Sequence, residues 1–257
     1  MPATPAWPPK SAPRLFVRTS ITPAQPITVE GNQAHYLVKV MRVTTGGSVI
    51  LCDGMTGEWA CKVVDATKRQ VVVMPVARLR EREAVPDFWL CPALLKKDRF
   101  DLLLEKATEL GVAAIYPVVT RRSVADSLNP ERARTIMTEA AEQCARTALP
   151  RWSDPAKLTK LLVTWPEDRV LYFADELGGQ PAADAFKGTT RAALLTGPEG
   201  GFDDTERAAI RAVRQARAIT LGPRILRGET AAIAATALWM GIAGDWHNSL
   251  AQRQPVS

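Results

Sequence analysis

In the first third of the chain, short apolar runs bounded by turn residues predict a set of β-strands. These strands are expected over residues 15–17, 48–52, 58–64 and 70–79. One helix is expected among them, over residues 32–42, with Asn32 as its N-cap and an apolar stripe formed by Leu37, Val40 and Met41. Short strands, tight turns and a single helix favour a small β-barrel.

After residue 86 the pattern changes to alternating strands and helices. Strands are predicted over residues 88–95, 113–119, 170–174, 192–196 and 219–221. Helices are predicted over residues 99–110, 130–147, 204–217 and 229–245. Asp98 is the expected cap of the first of these helices, and Gly111 is its expected C′ residue. This alternation indicates an α/β domain whose parallel sheet is covered by helices on both faces.

Composition and length are those of a globular protein with one large domain or two ordinary ones, and the change of pattern favours two. The 257 residues are 46% hydrophobic and 23% charged. We expect a disordered leader over 1–13, a β-barrel over 14–82, an α/β domain over 86–247 and a flexible tail over 248–257. The most apolar stretch, residues 230–243, is too short to span a membrane. No signal peptide is recognisable, and a cytoplasmic location is therefore expected.

Positive charge is concentrated in the first part of the chain. The formal net charge is +6, and residues 1–80 contain ten Lys and Arg against four Asp and Glu, which accounts for the whole excess. A basic module joined to a neutral one favours capture of a polyanion by the basic part. An uneven scatter of surface charge is the alternative.

The chain has few histidine and cysteine residues that could serve as metal ligands. The two histidines, His35 and His247, have no partners at the spacing of a zinc site or a Ser-His-Asp triad. The four cysteines are widely spaced and are expected to be buried thiols. We therefore expect no metal.

Two predicted strands end in related sequences, LTGP at residues 195–198 and TLGP at residues 220–223. Ligands of open α/β sheets bind beyond the carboxyl ends of the strands, so two such loops side by side would form a backbone-lined pocket for a planar heterocycle. Two ordinary strand-to-helix turns are the alternative. The recurrence favours the pocket, because EGGF follows the first loop and RILR follows the second.

The sequence around the first loop disfavours an anionic ligand. Neither phosphate-binding pattern, GxxxxGK[ST] or GxGxxG, occurs in the chain. Asp203 and Glu206 have the spacing of a capping box, and their carboxylates would repel an anion at that helix N-terminus. A neutral or cationic ligand containing a purine is therefore favoured over a nucleoside triphosphate.

Five separated segments carry a family resemblance. They are HYLVKVMRV at 35–43, EKATELGVAAIYPVVTRRS at 105–123, EAAEQCARTALPRW at 139–152, LLTGPEGGFDDTE at 194–206 and ITLGPRILRGETAAIAATAL at 219–238. Through them the chain resembles, over residues 14–245, the RsmE family of 16S rRNA uridine-N3-methyltransferases in the SPOUT superfamily. One departure is Gly228, where that family more often has a threonine.

The resemblance implies a fold, a cofactor and partners. It implies an N-terminal PUA-like RNA-binding β-barrel and a C-terminal SPOUT α/β domain whose chain end forms a trefoil knot. S-adenosyl-L-methionine would bind in the knot in a bent conformation, and the substrate would be 16S rRNA or the small ribosomal subunit. A homodimer through the C-terminal domain is implied, with neither a membrane nor a metal as partner.

The resemblance also implies residue roles. The cofactor would be held by Leu195, Thr196, Gly197, Pro198, Glu199, Gly200, Leu221, Gly222, Pro223, Ile225 and Leu226. RNA near the pocket would be held by Arg122, Glu142, Gln143 and Arg146. A solvated helix face with an i,i+4 pair between Glu142 and Arg146 is the alternative for that group. The charge pattern adds Arg14, Arg18, Lys39 and Arg42 as RNA-binding residues of the barrel.

Methylation at N3 of uracil imposes its own chemical demands. N3 becomes a good nucleophile only as the imide anion, so the site needs a donor or cation near O2 and O4, together with a proton acceptor. Arg227 is the candidate for stabilising the anion. Glu229 could accept the proton or cap the last helix, and we favour the cap.

Two other functions compete with this one. A SPOUT methyltransferase could act on tRNA, at a ribose 2′-oxygen or at N1 of guanine. The chain could also be an rRNA-binding ribosome-assembly factor without catalysis. The apolar last helix, with Ile233, Leu238, Trp239, Ile242 and Trp246, could be buried in the knot core or in a dimer interface.

Overall fold

The computed structural model of the protein describes residues 7–9 and 11–247, which divide into two compact units. The N-terminal unit extends as far as Ala84 and includes Ala141–Ala148. The C-terminal unit contains Val85–Ala140 and, among the described residues, 149–247. The expected tail over 248–257, and residues 1–6 and 10 of the expected leader, lie outside the described residues.

The N-terminal unit is built on a mixed five-stranded sheet. Its strands are β1 (Arg14–Phe16), β2 (Ile27–Glu30), β3 (Ser48–Cys52), β4 (Glu58–Ala66) and β5 (Gln70–Arg80). The strand order is β1-β3-β4-β5-β2, with β1 parallel to β3 and the other pairs antiparallel. Among the described strands β1 and β2 remain edges, so the predicted barrel is confirmed in part, as a mixed sheet that forms a half-barrel. Strand β2 was not predicted.

The helix between β2 and β3 differs from the prediction. It begins as α1 (Gly31–His35) and continues as a π-helical turn, Tyr36–Val40. The extra residue in the wider turn changes which side chains share a face. Leu37 is buried as expected, but Val40 and Met41 are exposed, so the predicted apolar stripe is wrong.

The C-terminal unit is built on a seven-stranded parallel sheet. The strands of the large sheet are β6 (Phe88–Pro92), β7 (Ala114–Ile115), β9 (Arg151–Trp152), β11 (Val170–Ala174), β12 (Gln180–Pro181), β13 (Ala192–Thr196) and β14 (Ala216–Thr220). A separate small sheet contains β8 (Val118–Val119) and β10 (Ala156–Lys157). The order in the large sheet is β12-β14-β11-β13-β6-β7-β9, and every pair is parallel. The predicted parallel α/β sheet is confirmed.

Helices cover both faces of this sheet. They are α2 (Lys97–Glu109), α3 (Pro130–Cys144), α4 (Leu158–Val163), α5 (Ala182–Ala185), α6 (Asp204–Ala212) and α7 (Gly228–Ile242). Alternate residues of β13 enter two different cores: Leu194 joins the core with α2 and α7, and Leu195 joins the core with α4 and α6. In the first core Trp239 of α7 stacks on Phe88 at a centroid distance of 4.4 Å. Trp239 is thus a core residue, whereas Trp246 is exposed.

Several predicted boundaries and caps are wrong. The strand expected over 113–119 is two short strands, because Pro117 lies between them and has no N–H to donate. Helix α2 has Lys96 as its N-cap rather than Asp98, and α1 has Glu30 rather than Asn32. Within the described residues, no helix combines the length and the apolar character needed to cross a bilayer.

A buried guanidinium ties together the amino ends of the central strands. Arg169, just before β11, donates to both carboxylate oxygens of Asp87, each at 2.7 Å. It also donates to the main-chain carbonyls of Asp87 and Ala192 and lies over the Trp89 ring at 3.6 Å. These contacts connect the starts of β6, β11 and β13, so Arg169 helps to fix the register of the sheet.

The carboxylate of Asp87 makes this connection dependent on pH. Burial alone would raise the pKa of Asp87, but the guanidinium groups of Arg169 and Arg191 outweigh it and lower the pKa from 3.8. A carboxyl group with a lowered pKa in the folded state contributes stability at pH values above its unfolded pKa. That contribution is lost as the pH falls through the folded pKa.

We therefore expect Asp87→Asn to lower the free energy of unfolding by about 2 kcal/mol at neutral pH and to weaken its decline below about pH 4. Urea denaturation over a pH series measures both effects. Asp126→Asn is the control, because Asp126 is exposed and has no ion-pair partner within the described residues. Equal pH dependence in the Asp87→Asn variant and the unsubstituted protein would contradict this role.

Candidate active site

A cavity of about 140 Å³ lies at the carboxyl ends of β11, β13 and β14. Its wall is formed by the last residues of these three strands, by the loops that follow them, by Arg207 of α6 and by the first turn of α7. The lining residues are Ala174, Asp175, Glu176, Thr196, Gly197, Pro198, Gly201, Phe202, Arg207, Ile219, Thr220, Leu221, Gly222, Pro223, Arg224, Ile225, Leu226, Gly228 and Ala231. The two predicted loops therefore line one cavity, as expected for ligands of open α/β sheets.

The first loop is a tight turn that leads into a capped helix. The Gly201 N–H donates to the Pro198 carbonyl at 2.9 Å, and Gly201 has φ +67°, which favours glycine. Asp203 accepts from the Glu206 N–H at 2.7 Å, and Glu206 accepts from the Asp203 N–H at 3.2 Å. The predicted capping box is confirmed. The Glu206 N–H and the Arg121 guanidinium hold the pKa of Asp203 below its usual value.

The second loop presents its side chains at the mouth of the cavity. After β14 the chain turns at Gly222, which has φ +105°. Beyond Pro223, Ile225 lines the cavity with 87% of its surface exposed, so an apolar ligand surface could cover it. The cavity thus has an apolar rim on one side and backbone-rich turns below.

The two loops meet at Gly228, the first residue of α7. A Cβ at this position would lie 2.9 Å from the Gly197 carbonyl oxygen and 2.9 Å from a methyl carbon of Leu95. Both distances are shorter than real Cβ contacts, so in this chain only glycine lets α7 approach the first loop so closely. A threonine at position 228 of this chain would therefore require a shift of Leu95 or of the first loop.

Eight of the eleven predicted cofactor residues line the cavity. The other three are Leu195, Glu199 and Gly200. Leu195 is fully buried in β13 and faces the core with α4 and α6. Glu199 forms an ion pair with Arg99 at 3.2 Å, and the Gly200 carbonyl accepts from Arg122 at 2.6 Å. Glu199 and Gly200 therefore shape the first loop, and Leu195 belongs to the core; none of the three lines the cavity.

Sequence reasoning missed the contribution of β11. This strand lies between β13 and β14, and the residues after it, Asp175 and Glu176, enter the cavity wall. The rule that ligands bind beyond strand ends also applies to β11. The acidic pair that follows this predicted strand could therefore have been recognised as part of the binding site. The order of strands was not available, because it is set by non-local pairing.

Asp175 anchors a network of charges beside the cavity. Its side chain is fully buried and accepts from Arg207 at 3.0 Å and from Arg211 at 2.9 Å. Arg207 also contacts Glu176 at 3.3 Å. Because Arg207 is already paired with carboxylates, it is poorly placed to attract an anionic ligand. Arg224 of the cavity wall, in contrast, is exposed and has no ion-pair partner within the described residues.

The two predicted catalytic residues lie at the start of α7. Arg227 is the N-cap of this helix, is exposed, and has no ion-pair partner within the described residues. Glu229 has a side chain only 9% exposed, with one carboxylate oxygen 3.8 Å from Arg99. Its other oxygen, Oε2, is buried without a hydrogen-bond partner. Since Glu229 is not the N-cap residue, the favoured cap interpretation is wrong.

Arg99 connects three elements at this edge of the sheet. It is in the first turn of α2 and contacts both Glu199 of the first loop and Glu229 of α7. One guanidinium therefore serves two carboxylates, and Glu229 is left with an unsatisfied acceptor. A buried acceptor of this kind is costly unless a donor reaches it, and a ligand can provide that donor.

The residues expected to hold RNA near the pocket occupy different places. Arg122 lies against the first loop, as described. Glu142 and Arg146 belong to the N-terminal unit, where Glu142 accepts from the Phe16 N–H at 2.7 Å. Arg146 is only 5% exposed and pairs with Glu83 at 3.3 Å, so it is not on a solvated face. Gln143 is exposed.

The basic residues expected to bind RNA in the N-terminal unit also differ from one another. Lys39 and Arg42 are exposed, and so is Arg18. Arg14 forms an ion pair with Glu58, whose carboxylate also accepts from Arg80 at 2.6 Å. Arg14 is therefore engaged within the unit, although Glu58 is one carboxylate shared by two guanidinium groups.

Cysteine and metal chemistry find no support in the described part of the chain. Burial raises the pKa of Cys52, Cys61 and Cys91 to about 12, so these thiols stay protonated. Cys144 is partly exposed. No group of His, Cys, Asp or Glu side chains within the described residues could hold a metal ion.

Comparison with known protein families assigns both parts of the chain. Residues 82–240 match the RNA methyltransferase domain, and residues 29–74 match the RNA methyltransferase PUA domain. A PUA domain followed by this α/β domain defines an RNA methyltransferase.

Individual relatives show to which family of RNA methyltransferases the chain belongs. The chain is 31% identical to the ribosomal RNA small subunit methyltransferase E of Synechocystis sp., over 82% of this chain and 71% of that one. It is 29% identical to the protein of the same name from Bacillus subtilis, over 85% of this chain and 92% of that one. The chain belongs to the ribosomal RNA small subunit methyltransferase E family, as its motifs indicated.

A solved structure supports the same relationship. The crystal structure of a ribosomal RNA small subunit methyltransferase E from Neisseria gonorrhoeae, bound to S-adenosyl methionine, aligns with a TM-score of 0.83. The two chains are 26% identical, and the alignment covers 91% of this chain and 99% of that one.

The close approach at Gly228 can be tested by adding a methyl group. We expect Gly228→Ala to lower the free energy of unfolding by about 1–3 kcal/mol, because the new Cβ meets a main-chain oxygen that cannot move away freely. Gly241→Ala, in the same helix, is the matched control: its Cβ would have a nearest neighbour at 3.7 Å. That substitution should be neutral or stabilise by up to about 1 kcal/mol. Equal effects of the two substitutions in urea denaturation would refute the contact.

Proposed function

We propose that the protein transfers a methyl group from S-adenosyl-L-methionine to N3 of a specific uridine in the 16S rRNA of the small ribosomal subunit. The observation that carries the proposal is the single cavity lined by both glycine-proline loops. Family membership supports rRNA as the substrate class. The choice of N3 comes from the family resemblance and from the groups at the start of α7.

The cavity suits the methyl donor. Its backbone-rich turns and the apolar residues Phe202, Leu221 and Leu226 can enclose an adenine ring and read its edges with main-chain groups. Glu176 offers a carboxylate at the wall, and the α6 N-terminus is already occupied by Asp203. Such surroundings favour a cationic sulfonium over a phosphate. When bound, the cofactor supplies an electrophilic methyl group.

Arg227 is the candidate for stabilising the uracil anion. Loss of the N3 proton spreads negative charge onto O2 and O4, and an unpaired guanidinium can donate to those oxygens. The position of Arg227, between the second loop and α7, brings it next to the cavity residues Leu226 and Gly228.

Glu229 is the candidate proton acceptor. In the reaction the N3–H bond breaks, its proton passes to a carboxylate oxygen, the bond from N3 to the methyl carbon forms, and the sulfur–methyl bond breaks. Glu229 has a buried oxygen without a donor, which the imide N–H could satisfy before transferring its proton. Arg99 holds the other carboxylate oxygen and so positions Glu229.

The remaining parts of the proposal concern assembly. We infer that the C-terminal chain threads into a trefoil knot of the SPOUT type, that the enzyme is a homodimer through this domain, and that it works in the cytoplasm, where its rRNA substrate is found. The basic N-terminal unit would bind the RNA.

Calorimetry with S-adenosylmethionine tests the cofactor assignment. We expect binding by the free protein, and no binding of adenosine triphosphate under the same conditions. A protein that binds neither ligand but retains affinity for rRNA would instead be an assembly factor without catalysis.

Arg227→Ala should leave the dissociation constant of the cofactor nearly unchanged and lower the rate of methyl transfer by at least roughly a hundredfold. The reason is that Arg227 acts on the developing anion rather than on the donor. Arg214→Ala, which removes another exposed arginine, is the control and should retain full rate. An equal loss of cofactor affinity with Arg227→Ala would mean that Arg227 binds the cofactor instead.

Glu229→Gln should lower the turnover rate by about 10²- to 10⁴-fold, because the amide keeps the shape of the side chain but cannot accept the proton. Glu199→Gln is the matched control, since Glu199 shares Arg99 but is tied to the first loop. It should lose far less activity. Similar losses in both variants, measured by single-turnover kinetics, would assign to Glu229 only a part in the ion-pair network.

A further inference from the structure

A surface patch on the N-terminal unit combines exposed apolar side chains with cations. This corner patch consists of Tyr36, Lys39, Val40, Met41 and Arg42, all of which are exposed. Val40 has 61% of its surface accessible and Tyr36 has 37%. Adjacent exposed apolar groups of this kind are typical of an interaction site.

The backbone places these side chains on the surface at a cost. In the π-helical turn the Met41 N–H donates to the Tyr36 carbonyl, five residues earlier, at 3.0 Å. The next residue, Arg42, has φ +53°, a left-handed conformation that costs a non-glycine residue roughly 1–2 kcal/mol. In a regular helix Met41, seven residues after Ala34 and four after Leu37, would lie on the face that those two residues bury. The observed turn exposes Val40 and Met41 instead.

The patch is electrostatically suited to a polyanion. Between Glu30 and Asp53 the chain contains no acidic residue. Lys39 and Arg42 have no ion-pair partner within the described residues, in contrast to Arg14, which is paired with Glu58. The positive charge of the patch is therefore available to phosphate groups.

Cations alone would bind any RNA, but the exposed apolar residues favour RNA with unpaired bases over a duplex. Bases in a duplex are stacked and covered, whereas an unpaired base can stack on an aromatic ring and contact aliphatic groups. We propose that the corner patch binds an unpaired nucleotide of the RNA, with its base on Tyr36 and Met41 and its phosphates at Lys39 and Arg42. This inference deepens the proposed function and rests on it for the identity of the RNA.

Fluorescence anisotropy with a labelled single-stranded RNA of about 12 nucleotides, and with the same strand in a duplex, tests the proposal. Tyr36→Ala should weaken single-strand binding by about 5- to 100-fold, since stacking on one aromatic residue is lost. The salt dependence of binding should stay the same, and duplex affinity should not change. Tyr36→Phe retains the ring and should bind like the unsubstituted protein.

Matched variants separate the patch from the rest of the unit. Val40→Ala should weaken single-strand binding, whereas Val64→Ala, which truncates a valine that is 50% exposed on β4, should not. Replacing Lys39 and Arg42 together with Gln should flatten the plot of log affinity against log salt by about 1.4, or about 0.7 for each lost phosphate contact. Urea denaturation of each variant confirms that it is folded.

Three results would overturn the inference. The first is single-strand binding by Tyr36→Ala that equals that of the unsubstituted protein. The second is an equal loss of affinity for the duplex. The third is a change from dimer to monomer in sedimentation with unchanged RNA affinity, which would assign the patch to a second copy of the chain. The assay needs no methyl donor, so an inactive protein could still show the Tyr36 effect. Conversely, if the enzyme is active but its RNA binding does not depend on Tyr36, the proposed function stands and the role of the corner patch is contradicted.

Discussion

The contact between Gly228 and the carbonyl of Gly197 is the constraint on which the site depends. β13 and β14 are not neighbours in the sheet, because β11 lies between them, so their loops do not meet through strand pairing. They meet where the first residue of α7, which has no side chain, lies against the first loop. Any larger residue in this chain would have to move either Leu95 or the main chain of that loop. The same approach places Arg227 and Glu229, the neighbours of Gly228 in the chain, beside the first loop.

Charge is used differently in the two units. In the C-terminal unit Arg207 of the cavity wall is engaged by carboxylates in the network around Asp175. Arg224 of the wall and Arg227 beside it are exposed and have no ion-pair partner within the described residues. In the N-terminal unit Lys39 and Arg42 are unpaired and exposed within the described residues. Cations available to a polyanionic RNA are thus present in both units, whereas the carboxylates of Asp175 and Glu176 belong to the cavity wall.

The sequence predicted the structure best where interactions between residues close in the chain determine it. β3, β11 and β13 have the predicted boundaries, and the capping box of α6 forms because its two carboxylates need only neighbouring N–H groups. It failed where distant contacts override local preference. The π-helical turn at Tyr36–Val40 and the pairing of Arg146 with Glu83 leave no periodic signal. The two loops could be found because they repeat a pattern, whereas Asp175 and Glu176 enter the cavity only through the strand order.

The identity of the methylated atom is the point on which the proposed function stands most directly. Small ribosomal subunits from cells that lack the enzyme would be incubated with the purified protein and S-adenosylmethionine carrying a deuterated methyl group, and the RNA would be digested to nucleosides for mass spectrometry. We expect the label in N3-methyluridine, and its disappearance with Arg227→Ala. Label in a ribose 2′-O-methyl group or in N1-methylguanosine, or no label in the RNA at all, would contradict uridine-N3 methylation.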